Sequence, residues 1–246
     1  MLRMNQSLSR IAYLLLPAIA CGVSVYAGSF SVNPVRIELT AARPNALVQI
    51  ANLSDEPTTI QVHVVSWRSD NNNESVYLPT DDVLVNPPIF TIDPRQKQFM
   101  RLGLRRPASA PAEASYRLIV EEVPKPPAPG FVGLQTVLRI SIPIFLKPAT
   151  PVSPKLAWRV DYTNRDSVRL TAMNQGNAHI QITGLELTPV GANRTPIKTS
   201  VLDYLLPNQA RTWIIESARI SGLVQIRLTA HTDVGNIYEV LVPNGR

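Results

Sequence analysis

The sequence is nearly devoid of cysteine and poor in histidine and aromatic rings. Its 246 residues include 1 Cys, 3 His, 3 Trp, 7 Tyr and 5 Phe. The single cysteine, Cys21, sits in an apolar run near the N terminus that is expected to be removed. The mature chain then has no disulfide and needs a core large enough to hold by itself. His63, His179 and His231 lie far apart, and none belongs to a metal-ligand spacing. There is no G-x-S-x-G, no H-E-x-x-H and no phosphate-cradling glycine loop. The adjacent carboxylates Asp81-Asp82 and Glu121-Glu122 make poor acid–base pairs, because neighbours on a strand project to opposite faces. These absences speak against an enzyme, and no cofactor or metal is called for. Charge is equally uninformative as a binding device. The formal net charge is +6, Arg105-Arg106 is the one Arg pair, and no basic run is interleaved with aromatics. Nucleic acid is therefore not an expected partner.

What is present begins with an export signal. Arg3 and Arg10 precede the apolar run IAYLLLPAIACGVSV, and Val25-Tyr26-Ala27 offers a small-x-small cleavage site before Gly28. Residues 1–27 are read as this signal, which marks the mature protein for export. Ala18-Ile19-Ala20-Cys21 weakly resembles a lipobox and is the alternative. Cleavage after Ala27 leaves about 219 residues with a net charge of +4, enough for one large or two ordinary β domains.

Nearly every remaining segment reads as strand. Residues 29–39, 46–52, 58–67, 98–104, 115–123 and 134–146 alternate or are rich in β-formers. A shorter strand near 83–86 or 89–92 completes a seven-stranded set. The pieces NLSDEPT, SDNNNES, DPRQ and RRPASAPAEA supply turns. The proline-rich stretch 147–154 reads as a linker, because prolines donate no amide and stiffen the chain. A second series follows over 155–161, 167–174, 178–189, 211–216, 223–232 and 236–243. The expected fold is all-β, with two immunoglobulin-like sandwiches over 29–148 and 152–246. Trp67 and Trp158 are expected to anchor the two cores, and Trp213 lies on an alternating strand.

The segment 134–146 carries the most information. Leu134, Leu138, Ile140, Ile142 and Ile144 share one side of an extended chain, with Thr136 in the remaining place. The proline-rich VPKPPAPGFVG precedes it. Such a ridge is either an ordinary half-buried sandwich strand or an edge able to pair with another chain.

Several motifs in order resemble the PapD-like periplasmic chaperones of chaperone–usher pilus assembly. They are FSVNPVR (30–36), VNPPIFTIDPRQKQFMRL (85–102), SYRLIVEEVP (115–124), the ridge closing in IFLKP (144–148) and, more weakly, HTDVGN (231–236). The resemblance implies two immunoglobulin-like domains arranged as a boomerang. It implies that the first domain's last strand lends its apolar ridge to pilus subunits that lack their own final strand. The donor-ridge residues would be Leu134, Thr136, Leu138, Ile140 and Ile142. Arg36 matches the cation that holds the subunit's C-terminal carboxylate, a task suited to a guanidinium. Arg101, Glu113 and Asp233 match an interdomain ion network. The family's second anchor, a lysine on the donor strand, falls at Pro143 here, so either another cation such as Arg139 substitutes or the carboxylate is held differently. The SIPIF form is more similar to the archaic, Csu-type branch than to the P or type 1 branch. The implied partners are pilus subunits and an outer-membrane usher, and an exposed ridge also permits self-association through the donor edge. The alternatives are a pilus subunit or other adhesive β-sandwich protein, and a β-sandwich hydrolase or carbohydrate-binding protein.

Overall fold

Burial in the strands follows a period of two, as side chains alternating across a pleated backbone require. In β4 (Thr58–Ser69), Ile60, Val62 and Val64 enter a core while Gln61 and His63 face away. The computed structural model describes residues 30–244 except 71, 73, 107–109, 128, 131, 165, 192–194 and 218–223. The expected signal over 1–27 and its cleavage after Ala27 lie outside the described residues.

Two sheets make the first sandwich. One has the order β1 (Phe30–Asn33), β3 (Asn45–Asn52), β8 (Lys97–Leu104), β6 (Val83–Asn86). The other has the order β2 (Ile37–Leu39), β10 (Arg139–Leu146), β9 (Ala114–Glu122), β4, β5 (Ser75–Pro79), with β7 (Ile89–Ile92) also on β4. Their inner faces meet in a core that includes Ile50, Ile60, Met100, Leu102, Leu118 and Ile144. Burying each such side chain contributes roughly 1.5–3 kcal/mol, which is how a chain without disulfides closes this domain.

The first segment corrects the expectation of one strand over 29–39. Pro34 cannot donate to a ladder, and the chain breaks there. β1 pairs antiparallel with β3, whereas β2 pairs parallel with β10 in the opposite sheet. Both short strands at 83–86 and 89–92 form, and β5 adds a strand directly after the expected turn SDNNNES, overlapping it at Ser75 alone.

The second sandwich joins β11 (Leu156–Asn164), β12 (Ser167–Asn174) and β15 (Ala210–Glu216) to a sheet of order β14 (Ile197–Leu205), β13 (Ile180–Pro189), β16 (Ile226–Thr232), β17 (Gly235–Leu241). Its core includes Val168, Leu170, Ile182, Leu185 and Leu228. β14 was not anticipated, although Ile197, Thr199 and Val201 alternate. Trp158 packs partly buried against this core beside Trp213, with ring centroids 6.3 Å apart.

Trp67 does not anchor the first core. Its odd position on β4 turns the indole to the outer face of the sheet, yet it is buried there. It belongs to a third cluster with Phe145 of β10 and with Leu206 and Tyr204 of the second sandwich. Trp67 and Tyr204 meet edge to face at 5.7 Å, and Phe145 stacks on His179 with centroids 3.4 Å apart. Asn177 reinforces the junction from the side. Its Oδ1 accepts from Ser153 N at 2.8 Å, and its Nδ2 donates to Pro151 O at 3.0 Å and Thr150 Oγ1 at 3.1 Å. Its carbonyl also receives the Glu113 amide at 2.8 Å.

Candidate functional site: an open strand edge beside a charged cleft

Among the described residues, β10 has a neighbour along its whole length on one side only. β9 pairs with every residue from Arg139 to Leu146. On the other side β2 covers Ile144 to Leu146 and ends there. Residues 139–143 therefore present an open edge, and unpaired edge groups are a ready template for another strand.

The expected strand over 134–146 is shorter than the alternation suggested. Residues 134–138 lie outside any regular strand, and β10 starts at Arg139. The ridge consequently divides. Leu134 is 91% exposed and Thr136 is exposed. Leu138 and Ile140 pack half-buried against the core, whereas Ile142 is 2% exposed and belongs to it. The lower ridge anchors β10 in its own domain, and the upper ridge is free. The Glu122 amide donates to Leu138 O at 3.0 Å, which marks where the free part begins. Val132, 99% exposed, extends the apolar stretch upstream.

The other side of β10 faces the second sandwich. Arg36 precedes β2 and donates through Nη1 to Asp233 Oδ2 at 2.9 Å, across the domain junction. Its Nη2 lies 3.6 Å from Glu38 Oε1, and Lys147 Nζ lies 2.6 Å from Glu38 Oε2. The Lys147 hydrogen bond, with the nearby charges of Lys147 and Arg36, holds Glu38 below the usual carboxylate range against its partial burial. Asp233 Oδ1 also accepts the Gln181 amide at 2.9 Å. His179 sits between acids, with Nδ1 2.8 Å from Glu113 Oε1 and Nε2 3.8 Å from Asp233 Oδ2. Glu113 is almost fully buried and also accepts the His179 amide at 3.0 Å.

This chain of charges corrects the expected trio. Glu113 and Asp233 are in it, but Arg101 is not. Arg101 sits on β8 opposite Leu47 and Asn86, and among the described residues it makes no ion pair. Arg36 and His179 take its place. His179 carried no motif, and its role follows from stacking on Phe145. Arg139, a candidate second cation, pairs with Glu121 at 3.6 Å near the far end of β10, away from Pro143. The adjacent carboxylates diverge as strand geometry requires. Glu121 meets His63 and Arg139, while Glu122 is opposite core-facing Ile60. Among the described residues no three His, Cys, Asp or Glu gather at metal-binding distance.

An open edge with an apolar lead-in, beside a junction where Arg36 and Lys147 meet acids, is suited to receiving an extended segment of another chain. Comparison with known proteins agrees with this architecture. The family model for pili and flagellar-assembly chaperones, PapD N-terminal domain, matches residues 29–151. Among solved structures, the CsuC–CsuE chaperone–tip adhesion subunit complex from archaic Csu pili of Acinetobacter baumannii matches at TM-score 0.64 and 19% identity, covering 89% of this chain and 100% of that one. The Salmonella enterica SafB chaperone complexed with the SafA pilin matches at TM-score 0.59 and 19% identity, covering 89% and 99%. The class 5 fimbriae chaperone CfaA matches at TM-score 0.59 and 13% identity, covering 88% and 100%. Likeness at these identities shows the two-domain fold. Among curated proteins the comparison finds no match. With the family model spanning half of its length, the chain belongs to the pili and flagellar-assembly chaperones of the PapD type.

Proposed function

We propose that this protein is a periplasmic chaperone that captures pilus subunits by lending them β10 and its lead-in, then delivers them to an outer-membrane usher. The observation that carries the reading is the open edge at 139–143 continued by the exposed stretch 134–137. A subunit lacking a strand has an apolar groove and unpaired backbone groups. Leu134 and Thr136, with the partly accessible Leu138 and Ile140, would fill such a groove while the edge supplies hydrogen bonds. Ile142 would hold the donor strand to its own domain and take no direct part. Arg36, beside the lower end of this edge, is the residue that would hold a subunit carboxylate. Glu113 and Asp233 would keep the two sandwiches in register with the site. The proline at position 143 fits the archaic, Csu-type branch.

The test is co-expression of the exported protein with pilin-like subunits encoded beside it, followed by purification from the periplasm. A stoichiometric complex, lost when Leu134 and Leu138 become aspartate, is expected. A chaperone recovered alone, with those subunits soluble and folded without it, refutes the reading.

A further inference from the structure

The sheet β1–β3–β8–β6 turns an exposed face outward that carries no carboxylate. Its strands read FSVN, NALVQIAN, KQFMRLGL and VLVN, without an Asp or Glu. Val48, Met100, Leu102 and Val83 enter the core, so the pleat turns Leu47, Phe99, Arg101 and Leu84 to the outside. Leu47 is 54% exposed, Leu84 51% and Phe99 50%. Arg101 stands directly opposite Leu47 on β3 and Asn86 on β6. Phe99 lies two residues along β8 from Arg101, and Leu84 is opposite Gly103, two residues the other way. The three apolar side chains therefore surround the guanidinium at about 5–8 Å, the spacing of direct and diagonal neighbours on a sheet. Lys97 continues the same outward row of β8 and is exposed.

Among the described residues Arg101 and Lys97 form no ion pair, whereas Arg36, Arg139 and Lys147, beside or on the other sheet, each have one. Asp55 and Asp81, beyond the strand ends, are met by Arg95 and Arg105. The face is thus apolar and positive, with uncharged amides such as Gln49 and Asn86 between. Apolar surface favours burial, and the sign of the charge selects what should cover it. A second copy stacked on the same face would bring like charges together, which is unfavourable. A planar anionic surface answers both features. At a membrane interface, apolar and aromatic side chains sink toward the acyl boundary while guanidinium and ammonium groups stay at the level of the phosphates. Anionic lipid adds an attraction for each Lys or Arg held near it.

We propose that this face docks the protein on an anionic membrane surface. Leu47, Leu84 and Phe99 enter the headgroup region, and Arg101 and Lys97 meet lipid phosphates. β10 belongs to the opposite sheet of the sandwich, so its open edge points away from the lipid and stays accessible. The assignment is independent of the open-edge reading, and neither depends on the other.

The experiment sediments the purified exported protein with vesicles of phosphatidylcholine alone and of phosphatidylcholine mixed with phosphatidylglycerol, at low and high salt. Binding is expected to the anionic vesicles only, and it should fall as salt rises. Arg101→Gln and Lys97→Gln should each weaken it about fivefold, and the two together more than about tenfold. Phe99→Ser should weaken it roughly threefold or more, since it removes apolar area from the interface. All three side chains are exposed, so the variants are expected to melt with wild type. If Arg101→Gln does not fold, Lys97→Gln and the salt series on wild type decide. Absence of binding to the anionic vesicles overturns the proposal and leaves an acidic protein as the partner this face would fit. Equal binding to both vesicle types, unmoved by salt, overturns it as well. So does binding that is lost on Leu134→Ser but kept on Phe99→Ser and Arg101→Gln, which would place the attachment on the exposed lead-in to β10.

Discussion

Arg36 and Asp233 are joined at 2.9 Å, although 197 residues separate them in the chain. One belongs to the crossing between the first sandwich's sheets and the other to the β16–β17 turn. The contact ties the base of the open edge to the second domain. Asp233 also caps the Gln181 amide, so Asp233→Ala should remove both bonds. The expected cost is roughly 1–2 kcal/mol, since the arginine is partly solvated. Thermal unfolding checks it, and a variant as stable as wild type would show that the contact adds nothing.

Substitutions along the ridge should separate folding from capture. Leu134→Asp touches an exposed side chain and is expected to change stability by less than about 0.5 kcal/mol while weakening subunit capture. Ile142→Asp places a charge in the core and should cost more than about 4 kcal/mol. Ile140→Asp should fall between, because Ile140 is only partly buried. Urea unfolding and co-purification, run on the same preparations, test the order. Equal destabilisation at 134 and 142 would contradict the division of the ridge.

Phe145 is fully buried outside both main cores, against Trp67, Tyr204 and His179. Phe145→Ala should cost about 3–5 kcal/mol, as truncation of a buried aromatic commonly does. The loss should be concentrated at the junction, so small-angle scattering is expected to report a wider range of interdomain arrangements. An unchanged scattering profile would place its role within the first domain.

Tyr116 supplies an alkaline signature. Burial, with the Asp82 carboxylate that its hydroxyl bonds at 3.2 Å, pushes its pKa up to about 12. In the unfolded chain a phenol ionises near pH 10. The folded state therefore keeps a proton that the unfolded state releases. The corresponding stability is complete below about pH 10 and is lost as pH rises through about 12. Tyr116→Phe should flatten that decline in denaturant titrations, and an identical slope in both proteins would argue against it.

Glu38 acts at the acid end. Its depressed pKa stabilises the fold above the ordinary carboxylate range, and that contribution is lost as pH falls through the folded value. Removing the first cause by Lys147→Met should make stability less steeply dependent on pH in this acid limb. A thermal-melting series below pH 5 measures it, and parallel curves for the two proteins would count against the Lys147 contact.

Much of this arrangement was legible in the residues. Alternation marked most strands because the pleat sends successive side chains to opposite faces, and this property is local. The same locality explains β14, whose alternation was present but passed over, and the break at Pro34, where a missing amide ends a ladder. The ridge at 134–146 was visible as a pattern, and the motif order identified the family.

The sequence by itself determined the all-β class, the order of strands and the apolar ridge, because propensity and period-two patterning act between near neighbours. Tertiary structure alone decided where the ridge divides, since the end of β2 and the reach of the core lie far away in the chain. It decided that Trp67 serves the junction, because a strand's outer face is buried only when another domain covers it. It also decided that Arg36 meets Asp233 while Arg101, among the described residues, meets no acid, since charge partners are chosen by distance in space, which sequence spacing does not encode.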